Sequence, residues 1–224
     1  MNPLIVVTGG TKGIGRAIVD RFVLEGFDAV VCARSVDGIQ GPGLLPFAAD
    51  LSGREGVEAL LRYIYSLNRP VDVLVNNTGI FLPGMIREEA EGTFELLMNT
   101  NVGSAYHLTR GLVQNMIDRR RGHIFMMCST ASITAYTNGG SYCISKFALL
   151  GMSRVLREEL KPHGVKVTAI MPGATLTASW EGTDLPEERF MKPQDIANSA
   201  WLAYSLSESA VIEEIVIRPQ LGDI

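Results

Sequence analysis

A tyrosine and a lysine, Tyr142 and Lys146, stand four positions apart in the stretch SYCISK, within a segment whose apolar residues recur at helical spacing. Four residues are slightly more than one helical turn, so both side chains leave the same face of the helix about 6 Å apart along its axis. A lysine cation beside a phenol lowers the pKa of the phenol, which can then exchange a proton with a substrate. Such pairs also occur by chance on solvated helices, so the rest of the chain must decide between the two interpretations.

A glycine-rich stretch, VVTGGTKGIGRAI, follows the first apolar run of the chain. Gly9, Gly10, Gly13 and Gly15 permit a tight turn and let backbone N–H groups approach a pyrophosphate at the start of the next helix. The spacing differs from G-x-G-x-x-G, and the residues after Lys12 are not those of a P-loop, which disfavours an ATPase. The stretch predicts a turn that binds a dinucleotide.

The end of the second apolar run bears on which dinucleotide binds. A carboxylate about 20 positions after the glycines would accept a hydrogen bond from the ribose 2′-hydroxyl of NAD. This chain has Ala33 and Arg34 at that place. An arginine suits a 2′-phosphate, and Lys12 could add a second cation. These residues predict NADP(H) as the cofactor.

Seven short apolar runs, most of them rich in valine and isoleucine, alternate with amphipathic segments along the chain. Such runs suit parallel strands covered on both faces by helices, and their alternation with helices is typical of a doubly wound α/β sheet. We therefore predict one Rossmann-type domain over 1–224 with a seven-stranded, mainly parallel sheet. The predicted strands are 4–7, 28–33, 44–49, 71–75, 123–128, 165–171 and 211–217. The longest irregular segment, 173–193, is expected to form a substrate loop.

Composition and charge argue against several classes of protein. The 224 residues carry a formal net charge of −4, which leaves no basic surplus for a nucleic-acid partner. The three cysteines lack CxxC spacing and the histidines are far apart, so we expect neither a disulfide framework nor a metal site. The N-terminal stretch has neither a basic leader nor a long apolar run. We expect a cytoplasmic protein that does not enter a membrane.

Four motifs in this order and spacing resemble those of the short-chain dehydrogenase/reductase family, over essentially the whole chain. They are TGGTKGIG (8–15), NNTG (76–79), YCISK (142–146) and PGATLT (172–177). Within the family, the likeness is strongest to bacterial sepiapterin-reductase-like members, through MNTNVGSAYHLTR, YCISKF and the ending VIEEIVIRPQLGDI. The chain departs from the family pattern at Thr78, which replaces the alanine of NNAG, and at Met126 and Cys128, which replace polar residues before the serine.

The resemblance implies a catalytic set of four residues, namely Asn101, Ser129, Tyr142 and Lys146. In the family's pattern the tyrosine is the acid/base in the reduction of a ketone by hydride, and the serine donates a hydrogen bond to the carbonyl oxygen. The lysine also reaches the nicotinamide ribose, and the asparagine connects the lysine to solvent through water. The cofactor-binding set predicted from the turn, the second strand and the resemblance is Gly9, Thr11, Lys12, Gly13, Ile14, Gly15, Ala33, Arg34, Asp50, Leu51, Asn77, Gly79, Tyr142, Lys146, Pro172, Gly173, Thr175 and Thr177.

The substrate site is expected to lie between the long loop and the catalytic residues. We expect the loop segment 178–192 to cover the nicotinamide, with apolar side chains on both sides of a small carbonyl substrate. The predicted walls are Trp180, Phe190 and Met191 on one side and Phe81, Ile133 and Tyr136 on the other, with Ser129 as a polar anchor. A pterin would also need a carboxylate, for which Glu181, Asp184 and Asp223 are the candidates.

Two other functions remain compatible with these residues. One is a 3-oxoacyl thioester reductase of the same family, and the other is a non-catalytic nucleotide-binding regulator. The fold alone cannot choose among substrates. Because the family is commonly dimeric or tetrameric, we expect a homodimer or a homotetramer.

Overall fold

The computed structural model describes residues 1–180 and 182–224, without the side chain of Ser179. Seven strands form one sheet in the order β3-β2-β1-β4-β5-β6-β7, and all six pairings are parallel. The strands are β1 (Leu4–Thr8), β2 (Asp28–Ala33), β3 (Leu44–Ala48), β4 (Val73–Asn76), β5 (Gly122–Met127), β6 (Val165–Pro172) and β7 (Glu214–Ile217). The predicted doubly wound α/β sheet is thus confirmed.

Six of the seven predicted strands begin and end within two residues of the observed bounds, but the last one is shorter than predicted. The ladder between β6 and β7 starts only at Glu214. Before it, the Ile212 carbonyl accepts a hydrogen bond from Thr168 Oγ1 (2.6 Å) and the Glu213 carbonyl accepts one from the Ala169 N–H (2.9 Å). Residues 212 and 213 therefore already contact β6, although the paired part of β7 begins only at Glu214.

Helices cover both faces of the sheet. They are α1 (Gly13–Leu24), α2 (Arg54–Ser66), α3 (Thr93–Met98), α4 (Ser104–Arg119), α5 (Gly140–Leu160) and α6 (Pro193–Ser205). Successive residues of a strand point to opposite faces, so Leu4 and Val6 pack with α2, α4 and α5, whereas Ile5 and Val7 pack with α1 and α6. Among the described residues, no helix has the length and apolar character needed to cross a membrane.

The described residues of the segment 173–193 form backbone contacts that the sequence did not predict. Thr175 and Met191 form an isolated bridge, in which Leu176 N donates to the Met191 carbonyl (2.9 Å) and Met191 N donates to the Ala174 carbonyl (3.0 Å). Two short 3-10 turns, Ala178–Trp180 and Glu187–Arg189, lie between the bridged ends. The segment is therefore a closed loop whose two ends are tied together beside β6.

Candidate active site

The glycine turn after β1 has no room for side chains at the positions where the sequence has glycine. Gly9 and Gly13 have φ of +64° and +56°, a region that L side chains rarely adopt. A Cβ on Gly15 would lie 2.3 Å from the Gly9 carbonyl oxygen and 2.5 Å from Asn77 Nδ2. The turn therefore presents bare backbone at the start of α1, as a pyrophosphate cradle requires.

Two polar side chains hold this turn against the end of β4. Asn77 Nδ2 donates to the carbonyls of Thr8 (2.8 Å) and Gly9 (3.1 Å). Thr8 Oγ1 accepts from the backbone N–H groups of Asn77 and Thr78, each at 2.9 Å. Because these bonds use the backbone of Thr78, the departure from the family's alanine does not disturb them.

Lys146 lies on the inner face of α5 with its charge almost enclosed. The residue is 6% exposed, and its Nζ donates to the Met127 carbonyl at the end of β5 (2.9 Å). Nζ is 5.8 Å from the centroid of the Tyr142 ring. A Cβ on Gly79 would stand 3.5 Å from Nζ, so the glycine keeps this side of the ammonium group open. The predicted pair thus lies on one face of α5, at the carboxyl ends of β4 and β5.

Asn101 occupies an irregular part of the chain, the π-helical turn Asn99–Gly103 between α3 and α4. π-helical turns are frequent at functional sites. The side chain is 1% exposed and is hydrogen-bonded to Ile80, since Oδ1 accepts from Ile80 N (2.8 Å) and Nδ2 donates to Ile80 O (3.1 Å). Nδ2 also donates to Ser145 Oγ (2.9 Å), which donates to the Tyr142 carbonyl (2.7 Å). Both amide protons are used inside the protein, so the side chain braces α5 against the loop after β4.

Ser129 follows β5 and caps the 3-10 turn Thr130–Ser132. Its Oγ accepts from Ala131 N (3.1 Å), and its own N–H donates to Ser132 Oγ (3.2 Å). Because a hydroxyl can accept and donate at once, the Ser129 proton remains available for a substrate oxygen. The capping bonds fix the position from which that proton would be donated.

The residues expected at the adenosine end of the cofactor lie at the ends of β2 and β3. Arg34 and Lys12 are exposed, and neither has an ion-pair partner within 1–180 and 182–224. Hydrogen bonds from Ser52 lower the pKa of the Asp50 carboxyl, and the Arg34 charge lowers it further. Leu51 is only 4% exposed and its side chain belongs to the core, so a contact with the cofactor would use its backbone.

The loop after β6 closes the other side of the glycine turn. Gly173 N donates to the Ile217 carbonyl (2.8 Å), and Thr175 Oγ1 donates to the Gly173 carbonyl (3.1 Å). A Cβ on Gly13 would lie 3.1 Å from Thr177 Cγ2. The predicted cofactor residues of the first and last motifs, Gly13 and Thr177, therefore meet in the fold.

The predicted walls of the substrate site are only partly as expected. Phe81 packs edge-on against the Tyr142 ring, with 4.8 Å between ring centroids. Phe190 and Met191 are 8% and 7% exposed, so they fasten the loop to the protein, and the prediction that they offer surface to a substrate is wrong. The bridge to Thr175 turns Met191 into the core. Trp180 is half-buried against Phe190, at 5.1 Å between ring centroids.

The other predicted substrate residues lie at the outer rim. Ile133 and Tyr136 are 40% and 47% exposed. Partial burial raises the pKa of the Tyr136 phenol to about 12, with the neighbouring Cys143 and Tyr142 as lesser causes. Tyr136 is therefore a weaker acid than an ordinary tyrosine and does not compete for the acid/base role.

The carboxylates considered for a pterin differ in their surroundings. Asp223 forms an ion pair with Arg218 beside Gly173, whereas Asp184 is exposed. Glu181 lies outside the described residues. In the described ranges, no cluster of three or more histidine, cysteine, aspartate or glutamate residues could bind a metal ion.

Several residues of the site escaped sequence reasoning. Asn76 is 3% exposed and donates through Nδ2 to Thr109 Oγ1 (2.9 Å) and to Met126 Sδ (3.4 Å). Ser145 joins Asn101 to α5, a contact between residues 44 positions apart that no local pattern could indicate.

Comparisons with known proteins agree with this geometry. A model of the short chain dehydrogenase family matches residues 3–187. The chain is 32% identical to sepiapterin reductase of Chlorobaculum tepidum, with 100% of this chain and 99% of that protein covered. It is 28% identical to 3-oxoacyl-[acyl-carrier-protein] reductase of Haemophilus influenzae, with 92% and 91% covered.

Two solved structures of oxidoreductases are similar to this chain over nearly its whole length. The crystal structure of L-sorbose reductase from Gluconobacter frateurii, complexed with NADPH and L-sorbose, has a TM-score of 0.87 and 28% identity, with 97% of this chain and 95% of that chain covered. The alcohol dehydrogenase of the archaeon Thermococcus sibiricus, complexed with 5-hydroxy-NADP, has a TM-score of 0.88 and 25% identity, with 98% and 97% covered.

Proposed function

The chain belongs to the short-chain dehydrogenase/reductase family, an oxidoreductase family, and on that premise we propose that it reduces a ketone to an alcohol with NADPH. The observation that carries the proposal is the contact of Lys146 Nζ with the Met127 carbonyl, which sets the lysine cation 5.8 Å from the centre of the Tyr142 ring. A cation at this place stabilises the negative charge that Tyr142 would carry after giving a proton to the substrate oxygen.

Each catalytic side chain then has a defined role. Bound NADPH supplies a hydride to the carbonyl carbon. Ser129 Oγ donates a hydrogen bond to the carbonyl oxygen as negative charge develops there, and Tyr142 gives that oxygen a proton. Lys146 stabilises the tyrosinate that remains and would also bind the nicotinamide ribose. Asn101 holds the turn of α5 that carries Tyr142. A proton then passes from Lys146 to the tyrosinate, and water beside Asn101 returns a proton to the lysine.

The preference for NADP(H) rests on charge at the end of β2. Ala33 stands where an NAD enzyme would have a carboxylate, and Arg34 and Lys12 offer exposed cations to a 2′-phosphate. The NADPH and 5-hydroxy-NADP complexes of the similar reductases are in line with this choice.

Among substrates, we favour a compact carbonyl compound of the kind that a sepiapterin-reductase-like enzyme takes. The likeness to a sepiapterin reductase extends over the whole chain, and Phe81 supplies aromatic surface next to Tyr142. A 3-oxoacyl thioester reductase is the second candidate, because a reductase of that kind is also similar over nearly the whole chain. The three free, buried cysteines fit a protein of the reducing cytoplasm.

A turnover panel separates these candidates. NADPH oxidation is followed with sepiapterin, small diketones and 3-oxoacyl thioesters at matched concentrations, with and without the enzyme. We expect the highest kcat/KM with a member of the first two classes. A clear preference for the thioesters would establish the second candidate, and NADPH binding without turnover of any carbonyl would favour a nucleotide-binding regulator.

A further inference from the structure

The N-terminus of the catalytic helix α5 is capped by a side chain from another part of the chain. Glu89 Oε1 accepts from the Ser141 N–H (2.7 Å), and Glu89 Oε2 accepts from Ser141 Oγ. The residue at the helix's own capping position, Gly139, has no side chain that could do this. The cap thus comes from the loop after β4, 52 residues earlier in the sequence.

Two glycines make room for this carboxylate. Gly140 has φ of +33°, and a Cβ there would lie 2.1 Å from Glu89 Oε1 and 2.4 Å from the Gly84 carbonyl. A Cβ on Gly84 would lie 3.0 Å from Glu89 Cγ. Gly84 N donates to the Asn138 carbonyl (2.9 Å), which ties the two segments together just before α5. Any side chain at position 140 would displace the carboxylate.

The charge of Glu89 is directed at the helix. No lysine or arginine in the described part of the chain forms an ion pair with Glu89. Its hydrogen-bonded partner, Ser141, is 2% exposed. A carboxylate that accepts a backbone N–H at a helix N-terminus is favoured both by the charge-assisted bond and by the positive end of the helix dipole. The interaction therefore fixes the first turn of α5.

That first turn carries the acid/base. Tyr142 follows Ser141 directly, and the loop that supplies Glu89 also supplies Phe81, whose ring packs on Tyr142. We propose that Glu89 is a positioning residue, which holds the first turn of α5 so that the Tyr142 phenol stays beside Lys146 and in line with the substrate oxygen. This inference rests on the proposed function, because it assigns Glu89 a part in the same reaction.

The test compares three variants with the parent enzyme. Glu89→Ala removes the cap, Glu89→Gln keeps an oxygen that can accept from Ser141 N, and Glu88→Ala is the matched control. Glu88 is the neighbouring residue on the loop, and among the described residues its side chain forms a hydrogen bond and ion pair with Arg87 alone, on the surface. We expect Glu89→Ala to lower kcat about tenfold or more, since small displacements of a reacting group are costly, with the Kd for NADPH changed less than about twofold. Glu89→Gln should recover most of the loss, and Glu88→Ala should match the parent.

Hydrogen exchange tests the same inference without turnover. In Glu89→Ala, the amides of residues 142–146 should exchange about tenfold faster or more than in Glu88→Ala, because the first turn has lost its cap. If the parent reduces no carbonyl compound, the proposed function fails, and this measurement still decides whether Glu89 orders the turn. Equal exchange in the two alanine variants would overturn the inference. Faster exchange with an unchanged kcat would overturn the positioning role.

Discussion

Lys146 is the residue on which the proposed chemistry depends most. Its ammonium group has three N–H donors, and the Met127 carbonyl takes one of them. Because the residue is 6% exposed, the other donors must meet partners within the site, since an unpaired buried charge is unfavourable. Under the proposed function, the ribose of bound NADP(H) would be such a partner.

Cofactor choice can be tested at single residues. Changing Ala33→Asp together with Arg34→Ile adds an acceptor for a 2′-hydroxyl and removes a donor to a 2′-phosphate, so the ratio of kcat/KM for NADPH to that for NADH should fall about tenfold or more. The control is Arg54→Ile, which removes another exposed arginine, one that pairs with Glu58 on α2. Equal kcat/KM values of the parent enzyme for NADPH and NADH would show that Arg34 does not bind the 2′-phosphate.

At the scale of elements, the sequence predicts strands better than it predicts the contacts between them. The buried strands have unbroken apolar runs, and the glycine-rich turn has a recognisable spacing directly after the first strand, so both could be predicted from the local sequence. The π-helical turn around Asn101 could not, because it depends on hydrogen bonds to Ile80 and Ser145 that join distant segments. The burial of Phe190 and Met191 could not be predicted for the same reason, since it depends on the bridge between Met191 and Thr175.

The pairing of β5 and β6 contains a buried histidine that should make stability depend on pH. His123 is 2% exposed, its ring stacks on Phe125 at 4.1 Å between centroids, and its Nε2 lies 2.8 Å from Thr168 Oγ1. Thr168 donates its own proton to the Ile212 carbonyl, so its oxygen accepts from a neutral histidine protonated at Nε2. Burial lowers the pKa of His123 from 6.5 to about 3, and the charge of Lys166 adds to this shift.

The sign of the effect follows from the lowered pKa. Below pH 6.5 the unfolded chain binds a proton at His123 and the folded protein does not, so the free energy of unfolding falls as pH drops from 6.5 toward 3. The slope approaches about 1.4 kcal/mol per pH unit. His123→Gln, which keeps an N–H near Thr168, should remove this part of the slope. Urea unfolding of both proteins across this pH range measures it, and parallel pH dependences would refute the assignment.

For the whole molecule, an apolar strip on the outside of α5 bears on assembly. We define this strip as Ile144, Phe147, Gly151 and Val155, which follow at helical spacing and are exposed. Ile144 and Phe147 also line a groove of about 670 Å³ with Ile86 of the loop after β4. Clustered exposed apolar residues of this kind often mark a protein interface. The homodimer or homotetramer that the family resemblance predicts would bury this strip between two copies of α5.

This inference predicts a dimer or tetramer in solution that a charge on the strip would dissociate. Val155→Arg should shift the mass measured by sedimentation velocity towards the monomer, because a buried, unpaired charge is unfavourable at an interface. Leu24→Arg is the control, as Leu24 is 79% exposed on α1, away from the strip. A parent protein that sediments as a monomer at all concentrations would rule out the assembly.

The measurement that tests the central claim most directly is the single-turnover rate of hydride transfer in Tyr142→Phe, measured from NADPH absorbance with the best substrate of the turnover panel. The substitution removes only the hydroxyl group, so the ring should keep its contact with Phe81 and the Kd for NADPH should stay within about twofold of the parent value. Because general acid–base catalysis contributes about 10²–10⁴-fold, we predict a rate at least about a hundredfold lower. A rate within a few-fold of the parent would contradict the assignment of Tyr142 as the acid/base.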